Sequence, residues 1–145
     1  MNRARLALTA LVSWVVYLGV SFLVHAVLLK NIYMQHASAM RPEADANGIL
    51  TLGFGFALLG FSAFAYLYAR TCQGGGVAEG IRFGVMVGVI LCCFGTIWDY
   101  MVWPVSPTLA ALWMVDYLLE FALYGGIVGA LYQPNHRPYR VPINV

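Results

Sequence analysis

The sequence predicts an all-α integral membrane protein, a four-helix transmembrane bundle with both termini in the cytoplasm. Hydrophobic residues make up 61% of the chain and charged residues only 10%, whereas a typical soluble domain carries about 25% charged residues. Four long apolar stretches alternate with short polar segments. A helix needs about 20 apolar residues to cross the ~30 Å hydrocarbon core of a bilayer. Each of the four stretches is long enough to do so.

Charges and prolines set the boundaries of these stretches, which together form a single transmembrane domain. Lys30 ends the first span and Arg70 ends the second. Pro104 and Pro107 separate the third span from the fourth, because proline interrupts a continuous helix. The predicted spans cover residues 6–29, 48–69, 80–103 and 108–132, and residues 133–145 form a predicted cytoplasmic tail.

The basic residues predict the orientation of the bundle. Cytoplasmic loops of membrane proteins are enriched in Lys and Arg. If four helices cross, six of the eight basic residues lie on the side of the termini and two on the other side. The six are Arg3, Arg5, Arg70, Arg82, Arg137 and Arg140, and the two are Lys30 and Arg41. We therefore expect both termini inside and the connections 31–47 and 104–107 outside.

Glycine recurs at helical spacing in the last two spans. Gly80, Gly84 and Gly88 follow one another at steps of four, and Gly125 and Gly129 form a GxxxG pair. Small residues let transmembrane helices approach closely where lipid removes the hydrophobic drive for association. We expect all five to be helix-packing positions. As exposed stripes they also favour self-association or contact with other membrane protein subunits.

Ionisable side chains inside the apolar spans form the candidate site. Asp116 and Glu120 are four residues apart on one helix face, and Tyr124 extends that face. At 100° per residue, Asp99 falls on the glycine face of the third span, and His25 lies at a similar depth in the first. Such groups are costly at membrane depth and usually face protein, water or a ligand. We expect an inward polar cluster of these five residues in the outer half of the bundle.

Three interpretations of this cluster stay open. It can join the helices by hydrogen bonds, it can bind a small ligand or cation, or it can relay protons. Asp116, Glu120 and His25 are candidate metal ligands, because carboxylate and imidazole suit divalent ions, but no HxxxH, ExxH or CxxC spacing accompanies them. The sequence identifies no cofactor.

The stretch from Tyr66 to Gly88 resembles small bacterial four-helix integral membrane proteins of unknown function. It has their tyrosine-ended span, their glycine-rich turn, and a Glu-Gly-x-x-Phe-Gly-like start at Glu79, Gly80, Phe83 and Gly84. The resemblance implies a multi-pass protein of the bacterial cytoplasmic (inner) membrane. It transfers no activity and no functional residue.

Several function classes find no support in the sequence. A net charge of +2, with no basic run, argues against nucleic acid as a partner, and no nucleophile has the setting of a catalytic residue. The sequence therefore favours a non-enzymatic protein of the lipid bilayer, an accessory or structural subunit of a larger membrane complex. The alternative is a small transporter, or a ligand- or cation-binding membrane protein that uses the Asp/Glu/His cluster.

Overall fold

A computed structural model describes residues 2–132, and within that range it contains helices and no strands. The α-helices are α1 (Arg3–Ser21), α2 (Lys30–Gln35), α3 (Glu43–Thr71), α4 (Gly76–Leu91), α5 (Ile97–Val102) and α6 (Pro107–Leu131). The π-helical segment Phe22–Leu28 continues α1, and the π-helical segment Cys92–Thr96 joins α4 to α5. The predicted tail, residues 133–145, lies outside the described residues.

Four stretches of helix are long and apolar enough to cross a membrane, which confirms the all-helical, four-span prediction. They are Arg3–Leu28, Ala44–Thr71, Gly76–Val102 and Pro107–Leu131. The second and third begin about one turn earlier than expected from the sequence. Pro42, with its extended ψ of 142°, stands directly before α3, and the polar residues that follow it extend the helix beyond its apolar part.

The closest contact between helices is made by glycine. Gly80, Gly84 and Gly88 of α4 are buried, as are Gly125 and Gly129 of α6. A Cβ atom at Gly84 would meet the carbonyl oxygen of Phe121 and would lie 3.1 Å from the Cα of Gly125. The backbones of α4 and α6 are therefore in contact. The two glycine stripes, which the sequence analysis expected to be exposed and available to a partner, cover each other within the same chain.

The remaining helices pack through aromatic side chains. Trp14 of α1 donates a hydrogen bond from Nε1 to the carbonyl oxygen of Phe54 in α3, at 2.9 Å. The ring of Tyr124 in α6 meets that of Phe61 in α3 edge-to-face, with centroids 4.9 Å apart. The buried core consists of Phe61, Phe64, Tyr68, Tyr124, Val128 and Tyr132.

The glycine-rich turn between α3 and α4 is closed by a carboxylate. Glu79 accepts hydrogen bonds from the backbone N–H groups of Gln73 (2.6 Å) and Gly75 (2.7 Å). Gly74 and Gly76 have φ angles of 94° and 63°, which side-chain-bearing residues rarely adopt. This turn sets the antiparallel return of the chain from α3 to α4.

Replacing Gly84 with alanine is expected to destabilise the bundle by about 1–3 kcal/mol, the usual cost of overpacking. The added methyl group would force α4 and α6 apart along their backbone contact. The free energy of unfolding can be measured by denaturant titration in detergent, followed by circular dichroism. Gly53→Ala is the matched control, because a Cβ there meets nothing within 4 Å. Equal stability of G84A and G53A would contradict the packing described here.

Candidate functional site

A polar cavity lies between the first span, α2, the third span and α6. We call it the polar pocket. Its volume is about 310 Å³, at the lower end of the range of small-molecule sites. Its lining residues are His25, Tyr33, Met40, Thr96, Asp99, Trp113, Asp116 and Tyr117.

Four of these side chains form a connected chain of polar contacts. Trp113 donates from Nε1 to the hydroxyl oxygen of Tyr33 at 2.9 Å. The Tyr33 hydroxyl lies 2.7 Å from Nδ1 of His25, and Nε2 of His25 lies 3.5 Å from Oδ2 of Asp116. Every donor finds an acceptor if Tyr33 donates to Nδ1 and the His25 proton sits on Nε2, toward Asp116. The network thus assigns the tautomer of His25.

Tyr33 is the centre of this network, and it belongs to α2 rather than to a membrane span. Burial raises the pKa of Tyr33 above its ordinary value. The hydrogen bond from Trp113 opposes this rise, and the charge of Asp116 adds to it. The phenol therefore keeps its proton at neutral pH and remains a hydrogen-bond donor to His25.

Thr96 and Asp99 complete the wall formed by the third span. Thr96 is 1% exposed, and its hydroxyl has no hydrogen-bond partner among the described residues. Asp99 is exposed and also lines an adjoining cavity of about 280 Å³ together with Arg41. The pocket thus offers one free buried hydroxyl and a carboxylate that solvent reaches.

The sequence placed Asp99 on the glycine face of the third span. Asp99 lines the polar pocket beside the buried Thr96, but its own side chain is exposed. The buried face continues from Gly88 through Cys92 and Thr96. The π-helical segment Cys92–Thr96 lies between Gly88 and Asp99, and a π-helix bonds residue i to i+5 instead of i+4. A rotation of 100° per residue therefore does not hold across it.

Both π-helical segments border the polar pocket. His25 lies within Phe22–Leu28, and Thr96 is the last residue of Cys92–Thr96. Short π-helical segments inside α-helices are rare and often mark functional sites. This local geometry singles out the pocket independently of its residue types.

Glu120 and Tyr124 do not reach the polar pocket but line a second cavity, which we call the apolar cleft. Tyr124 donates a hydrogen bond to Oε2 of Glu120 at 2.8 Å. Glu120 is 7% exposed, and its Oε1 has no partner among the described residues. The cleft has a volume of about 380 Å³. Its other lining residues are Tyr17, Ala57, Gly60, Phe61, Ala63, Phe64, Leu67, Val87, Leu91, Tyr117 and Phe121.

The predicted cluster is therefore two sites on one helix. His25, Asp99 and Asp116 meet in the polar pocket, whereas Glu120 and Tyr124 meet in the apolar cleft. The three candidate metal ligands, Asp116, Glu120 and His25, do not come together at one site. In the part of the chain that the structure describes, no three His, Cys, Asp or Glu side chains are placed to hold a metal ion.

Sequence reasoning missed Tyr33 and Trp113. Trp113 falls on the same face of α6 as Asp116 and Glu120, so helical spacing contained the signal for it. Tyr33 had no such signal, because its position depends on how α2 folds back over the bundle. His36 helps to fix that fold, since its Nε2 accepts a hydrogen bond from the backbone N–H of Ser106 at 3.1 Å.

Comparison with known proteins adds no relative. No family model matches the chain, and neither a curated protein nor a solved structure matches it. The resemblance to small bacterial four-helix membrane proteins therefore stays a sequence interpretation.

Proposed function

We propose that this chain is a non-enzymatic multi-pass protein of the bacterial inner membrane that binds a small organic ammonium ion in the polar pocket. One observation carries the proposal. Asp99 and Asp116 line a single cavity together with the aromatic rings of Tyr33, Trp113 and Tyr117. Carboxylates attract the charge of an ammonium group, and aromatic faces attract its alkyl substituents and its charge.

The other lining residues fit the same ligand class. No Lys or Arg is among them, and Arg41 lines only the adjoining cavity. The buried hydroxyl of Thr96 can accept a hydrogen bond from an N–H or O–H group of the ligand. Although His25, Asp99 and Asp116 all line the pocket, no three such side chains among the described residues are placed to hold a metal ion, which favours an organic cation over a divalent metal.

Choline is a suitable probe for this pocket, with isothermal titration of the purified protein in detergent as the measurement. Asp116→Asn is expected to weaken choline binding roughly 10- to 100-fold, the range for losing a charged partner. Asp45→Asn is the matched control, because Asp45 is exposed at the start of α3 and lies outside the pocket. Equal affinity of D116N and wild type, or no heat of binding to wild type, would overturn the proposal.

A role as an accessory or structural subunit is a second candidate, and one face of α3 favours it. Gly48, Gly55 and Ser62 recur at steps of seven and therefore share a face. A Cβ atom at Gly48 or Gly55 would meet nothing within 4 Å. Unlike the glycines of α4 and α6, this stripe is uncovered within residues 2–132. Another transmembrane helix, from a second copy or another subunit, can approach closely there.

Gly55→Leu tests this second role. The leucine is expected to leave the fold intact, since it meets open space, but to lower the fraction of protein recovered as a larger assembly. Native mass spectrometry after extraction in a mild detergent measures that fraction. Gly53→Leu is the control, because Gly53 is equally open but lies on a different face of α3. An unchanged assembly in G55L, or a purely monomeric wild type, would remove the support for this role.

The proposed cytoplasmic location of both termini is supported by the basic residues. Within the described range, Arg3, Arg5, Arg70 and Arg82 lie on the side of the N-terminus, and Lys30 and Arg41 lie on the other side. Asp and Glu contribute little to such asymmetry. The proposed orientation would put the turn that contains Cys72 in the cytoplasm.

Cys72 reports the orientation directly when Cys92 and Cys93 are replaced by alanine. A membrane-impermeant maleimide is expected to label it only after the cells are broken. Burial, aided by the charge of Glu79, raises the pKa of Cys72, so the thiolate fraction and the labelling rate should increase from pH 7 to pH 9. A cysteine at the exposed Ser38, in a variant that lacks the native cysteines, should react in intact cells. Labelling of Cys72 in intact cells, together with labelling of the cysteine at position 38 only in broken cells, would indicate the opposite orientation.

A further inference from the structure

The apolar cleft has a floor and two walls from different helices. α6 forms the floor with Tyr117, Glu120 and Phe121, while Gly60 of α3 and Val87 of α4 belong to the walls. A Cβ atom at Gly60 would meet nothing within 4 Å. The α3 wall therefore leaves open space where a larger residue would fill the cleft.

Glu120 is the feature of the cleft that packing alone does not explain. Its side chain is more than nine-tenths buried, one oxygen accepts from Tyr124, and the other oxygen faces no donor or acceptor of the described chain. Leaving a buried polar atom without a hydrogen-bond partner destabilises the folded protein. A ligand that supplies the missing hydrogen bond would remove this cost.

The depth of the cleft restricts which ligand can do so. Glu120 lies near the middle of Pro107–Leu131, and Gly60 lies near the middle of Ala44–Thr71. A charged group at mid-membrane is costly, which disfavours ions and phospholipid head groups. An acyl chain reaches this depth but has no group that can bond to a carboxyl. The ligand must therefore be uncharged, soluble in the membrane, and equipped with a hydrogen-bonding group.

Aromatic side chains define the shape of that ligand. Rings from α1, α3 and α6 surround the carboxyl, with Phe121 and Tyr124 in edge-to-face contact at 5.7 Å between centroids. Such surroundings favour a flat ring, which gains from stacked or edge-on contacts. A carboxyl group can donate a hydrogen bond to a carbonyl oxygen when protonated, and it can accept one from a hydroxyl group.

We propose that the apolar cleft binds an isoprenoid quinone or quinol. Its ring lies among Phe61, Phe64 and Phe121, one ring oxygen bonds to Oε1 of Glu120, and its isoprenoid tail leaves between α3 and α4 into the lipid. This site is separate from the polar pocket. The proposal of quinone binding can therefore be tested independently of ammonium binding.

Decylubiquinone is the probe, and its affinity for the purified protein is measured by quenching of tryptophan fluorescence in detergent. Glu120→Leu removes the hydrogen bond and is expected to weaken binding about tenfold. Glu120→Gln keeps a donor and an acceptor at the same place, so it should bind within about threefold of wild type. Gly60→Leu fills the cleft without touching Glu120 and should weaken binding at least as much as E120L.

Matched variants separate this binding from changes in the fold. Gly53→Leu adds the same side chain to α3 outside the cleft, and Asp116→Asn alters only the polar pocket, so both should bind decylubiquinone like wild type. Wild-type affinity in both E120L and G60L would overturn the proposal. The proposal would also be overturned if decanol, which has a chain and a hydroxyl but no ring, bound to the cleft as tightly as decylubiquinone and displaced it. The cleft would then be a lipid site.

Discussion

The backbone contact between α4 and α6 is the constraint on which the rest of the structure depends. Gly80 and Gly84 lie against Gly125 and Gly129 with no room for a Cβ atom. Lipid provides no hydrophobic drive for helices to associate, so close approach must supply the packing energy. Because the glycine face of α6 is used in this way, its polar face, which carries Asp116 and Glu120, is turned toward α1 and α3.

That arrangement leaves space on the other side of α6. Aromatic rings, which are larger than glycine, separate α6 from α3, and α3 packs mainly against α1. Two cavities result, one at the level of Asp116 and one at the level of Glu120. The same helix is thus tightly packed along its glycine stripe and open along its polar stripe. Both cavities follow from this difference in side-chain size.

The sequence was sufficient for the spans and for part of the site. Helical spacing placed Asp116 and Glu120 on one face, and approximate depth grouped His25 with the acids. In the structure Nε2 of His25 lies 3.5 Å from Oδ2 of Asp116. Spacing alone did not show that the two acids enter different cavities, because adjacent turns of α6 face different neighbours. It also did not show that Asp99 is exposed, since the π-helical turn before this residue leaves no periodic signal. Tyr33 depends on a long-range fold of α2.

The division of the polar residues follows the energetics of the bilayer. His25 and Asp99 lie near the ends of their spans, Arg3–Leu28 and Gly76–Val102, where charged groups can reach water. Glu120 lies near the middle of Pro107–Leu131, where a charge would be most costly in a bilayer, and its neighbours are aromatic rings and one phenol. The ring of Tyr117 borders both cavities. Depth within the spans therefore supports the proposal of a charged ligand for the polar pocket and an uncharged one for the apolar cleft, although one helix face supplies the carboxyl group at each.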